Sequence, residues 1–110
     1  MSEKILRLTR IWYEYVSFGH HKDRDCHFEI TKQVSYGDEI SYYVTHNGYI
    51  ANDYVSDSFD TYEEAENDLY RFLKEIIREE QAWAEGVIEN HGEYDEDQLE
   101  SARFILKVRV

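Results

Sequence analysis

From Tyr62 onward, apolar residues return at spacings of three, four or seven: Tyr62, Ala65, Leu69, Phe72, Ile76 and Trp83. Leu73, Ile77, Val87 and Ile88 widen the stripe. This is the period of an amphipathic helix. Its start is written in Asp60-Thr61-Tyr62-Glu63-Glu64, where Thr61 caps the helix and Glu64, three on, completes a capping box. Acids in the first turn also complement the positive helix N-terminus. The pattern predicts a helix from Thr61 to about Asn90, roughly 45 Å long at 1.5 Å per residue. A small sheet covers less than that. Either Gly86 ends or bends the helix, or its second half docks on another chain.

Upstream the period changes to two. Cys26, Phe28, Ile30 and Val34 alternate with His27, Glu29, Thr31 and Gln33, the pattern of a half-buried strand. A polar turn at Tyr36-Gly37-Asp38 leads into Ile40, Tyr42 and Val44. Asn47-Gly48 then reads as a two-residue type I′ hairpin turn, because both positions need positive φ. That turn sets His46 opposite Tyr49, Thr45 opposite Ile50, Val44 opposite Ala51, Tyr43 opposite Asn52 and Ile40 opposite Val55. One face then collects Ile40, Tyr42, Val44, Ala51 and Val55 for the core. The other carries Tyr43, Thr45, Asn52 and Tyr54. Tyrosines on a polar face are ordinary at the edges of small domains, and they also make good rigid contacts in interfaces.

Residues 3–18 fit two periods. Ile5, Leu8, Trp12 and Tyr15 suit a helix capped by Ser2, whereas Ile11, Tyr13 and Tyr15 against Trp12, Glu14 and Val16 suit a strand. The β-branched and aromatic content tips Thr9 to Phe18 toward a strand. With a helix there, the order of helix, three strands, helix superficially resembles a double-stranded RNA-binding domain, a function the charge speaks against. Glu93-Tyr94-Asp95-Glu96-Asp97 reads as an acidic loop or short helix start. Phe104, Leu106, Val108 and Val110, alternating with Ile105, Lys107 and Arg109, predict a last strand. The expected fold is α+β: a small antiparallel sheet of three to five strands, packed by one long acidic amphipathic helix. One domain spans residues 1–110, a length that buries a modest single core.

Charge changes the picture. Between Ala51 and Glu100 lie seventeen carboxylates against three bases, Arg71, Lys74 and Arg78, so nearly all of the net charge of −12 sits in one continuous half. Such a field selects partners of opposite sign. It opposes direct binding to a phosphate backbone, whose affinity comes mainly from Lys and Arg, so no direct nucleic-acid contact is expected. No apolar run approaches the roughly 18 residues that span a bilayer, and no membrane association is expected. Met1-Ser2-Glu3-Lys4 lacks the plan of a secretion signal. The single cysteine, Cys26, forms no internal disulfide, which fits a reducing cytoplasm.

Candidate chemistry is sparse. His20, His21, Cys26 and His27 bracket Asp23 and Asp25, and these side chains are zinc-competent. Their spacing matches no established site, and a polar turn entering a strand accounts for them. His46 is expected to flank the hairpin turn, and His91 sits among acids. Asp95-Glu96-Asp97 lacks the spaced ligands of a calcium loop. The acids lie on a solvated helix face or in loops, where nothing pushes two carboxyl pKa values apart for acid–base work. With no phosphate loop or nucleophile elbow either, no enzymatic activity, metal or cofactor is expected.

The pattern therefore favours recognition. The candidate partner-binding residues are Glu64, Asp68, Glu75, Glu79, Glu85, Glu89, Asp95 and Asp97, joined by Tyr43 and Tyr54. The expected partner is a protein with a basic, nucleic-acid-binding surface. Carboxylates on successive helical turns, about 5.4 Å apart, approximate a row of phosphates. In size and charge the chain resembles phage anti-restriction and anti-CRISPR inhibitors, and immunity proteins that neutralise basic nuclease toxins. The resemblance covers no motif. The alternatives are a housekeeping α+β module forming a homodimer through the long helix or an edge strand, and a small metal protein centred on the His/Cys turn.

Overall fold

The computed structural model describes residues 2–18, 26–48 and 54–110. The elements are α1 (Glu3–Val16), β1 (Cys26–Val34), β2 (Ile40–Gly48), β3 (Tyr54–Val55), α2 (Tyr62–Glu89), a 3-10 turn (His91–Glu93) and α3 (Glu96–Leu106). Among the described residues, three helices and a three-stranded antiparallel sheet, ordered β1-β2-β3, make an α+β fold.

Residues 3–16 form a helix, not the strand expected for Thr9 to Phe18. The Ser2 hydroxyl caps it by accepting from the Ile5 N–H. Ile5, Leu8, Trp12 and Tyr15 recur at the helical period, and all are fully buried. A strand would have split them between two faces. The helix keeps them on one, and that packing outweighs local β propensity. The Ser2 N–H meets Glu66 Oε2 at 2.7 Å, and the Tyr15 hydroxyl meets Glu80 Oε2 at 3.0 Å. Contacts advancing together along both chains mean that α1 and α2 run parallel.

The long helix is present as expected, capped by Thr61, and it continues through Gly86 to Glu89. Glu64 completes the cap differently from a reciprocal box: its carboxylate takes the Thr61 hydroxyl at 3.1 Å. The second half of α2 needs no other chain, because α3 covers it. The last strand expected over Phe104 to Val110 is instead the end of that helix and the tail beyond it. Asp95 starts α3 with a full capping box: its Oδ1 accepts from the Gln98 N–H at 2.8 Å, and the Gln98 side chain accepts from the Asp95 N–H at 3.1 Å. Leu99, Ala102 and Ile105 then bury one face. The Gln81 side-chain amide donates to the carbonyls of Ile105 (3.0 Å) and Val108 (2.8 Å), tying the helix end and tail to α2.

β1 matches its expected span and β2 starts at Ile40 as expected, the two joined by a turn with Gly37 at φ 90° and Asp38 at φ 62°. Glycine adopts that region without steric cost, and Asp is among the residues that tolerate it. The next connection differs from expectation. Asn47 and Gly48 continue β2 opposite His27 and Cys26. Thr45 pairs with Val55 rather than Ile50, five places on, and His46 pairs with Tyr54. Tyr49, Ile50, Ala51 and Asn52 lie outside the described residues. An odd displacement exchanges the faces of a strand. Val55, expected in the core, is 71% exposed, while Tyr54 turns inward and stacks on Phe72 with ring centroids 4.5 Å apart. Phe28 and Val44 are buried on the same inner face.

Tyr42 packs on Tyr62 and His46 on Phe72, at 5.8 and 5.3 Å, so β2 ascends α2 from its first turn. Residues 32–40 therefore project past the helix start. All of them are exposed, including Ile40, a second expected core residue, at 47%.

Candidate acidic interface

The solvent side of α2 presents Glu64, Asp68, Arg71, Glu75, Arg78, Glu79, Glu85 and Glu89 on one stripe. From Glu64 to Glu89 it runs roughly 37 Å. It is not uniformly anionic. Arg71 sits 2.9 Å from Asp68 Oδ1 and 2.8 Å from Glu75 Oε1. Arg71 also donates to the Tyr54 hydroxyl at 3.1 Å, and that hydroxyl donates to Asp68 Oδ2 at 2.9 Å. The bonds to Asp68 and Glu75 hold the guanidinium even further above neutrality than usual. Burial, helped by the bond to Asp68, pushes the Tyr54 phenol up.

Three of the candidate residues, Asp68, Glu75 and Tyr54, are thus joined in one internal network. Tyr43 lies elsewhere, opposite Thr31 on the outer face of the sheet. Glu64 serves the helix cap and Asp95 the α3 cap. Glu79, Glu85, Glu89 and Asp97 are exposed and form no ion pair among the described residues. Around the α2–α3 connection they are joined by Glu93, Glu96 and Glu100, of which Glu96 pairs with Arg103 at 3.3 Å.

One carboxylate belongs to the interior instead. Glu80 stands within the apolar arc made by Ile76, Ile77, Ala84 and Val87, and its Oε2 accepts from Tyr15 at 3.0 Å. Burial raises its pKa, Glu79 adds to the rise, and the Tyr15 hydrogen bond opposes it. Burial first, then the charge of Glu80, drives the Tyr15 phenol well above its usual value. Ser101 of α3, fully buried, lies beside the same phenol with its hydroxyl outside good hydrogen-bond geometry. Here an environment does move a carboxyl, contrary to the expectation that all the acids are solvated. The sign in the sequence was a lone Glu inside an apolar stripe.

His46 does not flank a turn. It is fully buried between Phe28 (4.6 Å) and Phe72 (5.3 Å). His20, His21 and the side chain of Cys26 lie outside the described residues. His27 is exposed, 3.7 Å from Glu29, and His91 opens the 3-10 turn at the surface. Among the described residues, no cluster of three or more potential metal ligands forms, and no helix is long and apolar enough to cross a membrane. No family model, curated protein or solved structure matches the chain.

Proposed function

We propose that the protein is a non-catalytic binding protein whose anionic surface, running from the second half of α2 onto the start of α3, engages a basic protein surface of the kind that handles nucleic acid. The observation that carries this is the exposed set Glu79, Glu85 and Glu89, which has no cation within ion-pair distance among the described residues. Like charges along a helix cost tenths of a kcal/mol per pair, and this helix bears that cost on its open face. Asp68 and Glu75 contribute less, because Arg71 offsets their charge. The inhibitor classes that the chain resembles in size and charge, anti-restriction, anti-CRISPR and toxin-immunity proteins, are the candidates for the biological role. The lone Cys26 fits a reducing, cytoplasmic setting.

The test is capture of partners from a host lysate at low and high salt, compared with a variant carrying Glu79→Lys, Glu85→Lys and Glu89→Lys. The variant should keep its helical circular dichroism, since the reversals relieve repulsion and favour the C-terminal end of α2. Binding should fall steeply with salt and disappear in the variant. Partners retained by the triple reversal would reduce this face to ordinary solvent surface.

A further inference from the structure

β1 is an edge strand whose outer side nothing described covers. The N–H and C=O of Tyr42 bond Phe59 at 2.8 and 2.7 Å, and the Val44 carbonyl takes the Ser56 N–H at 2.9 Å. The even residues of β2 therefore turn their backbone groups toward β3, and its odd residues turn theirs toward β1. Opposite those odd residues stand Gln33, Thr31, Glu29 and His27. The backbone groups of Phe28, Ile30 and Lys32 consequently point away from the sheet. Among the described residues, no hydrogen bond reaches them.

Proteins blunt such edges with short strands, prolines or bulges. β3 is two residues long, so the opposite edge is short. β1 runs nine residues in unbroken register, and the chain has no proline. Beside this open edge α1 leaves an apolar flank. Tyr13, 43% exposed, packs 6.1 Å from Phe28, and Leu6, 41% exposed, lies seven residues earlier on the same side.

Charge selects the occupant. Glu29 and Lys32 cancel in β1, and in α1 Arg7 and Arg10 balance Glu3 and Glu14, Lys4 lying instead 5.1 Å over the Tyr70 ring of α2. A basic partner gains nothing on this flank. A second copy of a chain carrying −12 meets its least repulsion there. We infer that two copies pair antiparallel through β1 about Ile30, forming one continuous sheet of three strands from each, with Leu6 and Tyr13 of each α1 covered beside the new ladder. In that register Ile30 exchanges both backbone bonds with its counterpart, Phe28 faces Lys32 and Glu29 faces Thr31. Sliding toward the strand start would set Glu29 against Glu29, a destabilising like-charge pair.

Sedimentation equilibrium of the full chain tests the inference. The expected species has twice the 13.3 kDa chain mass. Its association should tighten as salt rises, because screening weakens the repulsion between two anionic copies. Capture through the acidic face responds to salt in the opposite direction, so the two proposals fail separately. Lys32→Pro removes an outward N–H and spares the bonds to β2, which edge positions tolerate. It should halve the mass with circular dichroism unchanged. Leu6→Glu, an exposed change on α1, should do the same and decides the matter if the proline variant does not fold. A monomer at every concentration and salt overturns the inference. So does a dimer that both variants leave intact, or a monomer whose β1 edge takes up an unrelated extended peptide.

Discussion

The hydroxyl of Tyr15 and the carboxylate of Glu80 meet at 3.0 Å where three helices converge, although 65 residues separate them in the chain. The folded chain holds the Glu80 proton more tightly than the unfolded chain, because burial raises the carboxyl pKa. The associated stability is full below the unfolded carboxyl value and is lost as pH rises through the folded one. Glu80→Gln stays neutral and still accepts from Tyr15. Its stability relative to wild type should be greatest at about pH 7 and should lose that margin as pH falls to the ordinary carboxyl range of about 4, where Glu80 is already protonated in the fold. Thermal unfolding at both values checks this. Tyr15→Phe leaves the carboxylate without its donor and should cost ~1–3 kcal/mol near neutrality.

Gln81 makes a different kind of joint. One amide group reaches two carbonyls: that of Ile105, which also takes the Val108 N–H at 3.3 Å, and that of Val108, which has no other donor among the described residues. Gln81→Ala should cost about 1–2 kcal/mol by chemical denaturation, at roughly 1 kcal/mol per hydrogen bond less relaxation. Amide exchange should quicken at the end of α3 and in the tail, with β1 and β2 unaffected. Uniform loss of protection would mean that the tail is not separately anchored.

Arg71 separates stability from recognition. It is about half exposed and bonded to Asp68, Glu75 and Tyr54. Exposed pairs of this type contribute ~1 kcal/mol or less. Arg71→Ala should therefore lower stability only slightly. It should also tighten binding to a basic partner, because it uncovers two carboxylates. Weaker binding by a folded Arg71→Ala protein, measured by titration calorimetry with a captured partner, would count against the anionic face.

Where one period dominated, the sequence was readable. The span and cap of α2, the extent of β1, the start of β2 and the glycine turn between the strands follow directly from spacing and turn chemistry. α1 misled because Ile11, Tyr13 and Tyr15 also alternate, and the choice between periods was made by its packing on α2. Similarly, Phe104, Leu106, Val108 and Val110 alternate by coincidence, while the deciding signal lay in the Asp95/Gln98 box with Leu99, Ala102 and Ile105 behind it. Asn47-Gly48 carries a real turn preference, yet those residues stay in β2 opposite β1. Face assignments for Tyr54 and Val55 failed with that one register. Within the candidate site, exposure of the α2 acids was foreseeable from the helix period. The Arg71 network was not, since it needs Tyr54 brought in from β3.

Parallel packing of α1 on α2 makes the entire sheet a crossover between two helices. The Ser2–Glu66 and Tyr15–Glu80 contacts close loops of 64 and 65 residues, and the Arg7 side chain reaches the Arg109 carbonyl across 102. Closing such loops costs entropy before any packing returns it. Despite its helical content, this chain is expected to fold slowly, because contacts distant in sequence set the rate. Its first helix reaches α2 only by closing a loop of 64 or 65 residues, which pairing of the strands between them shortens.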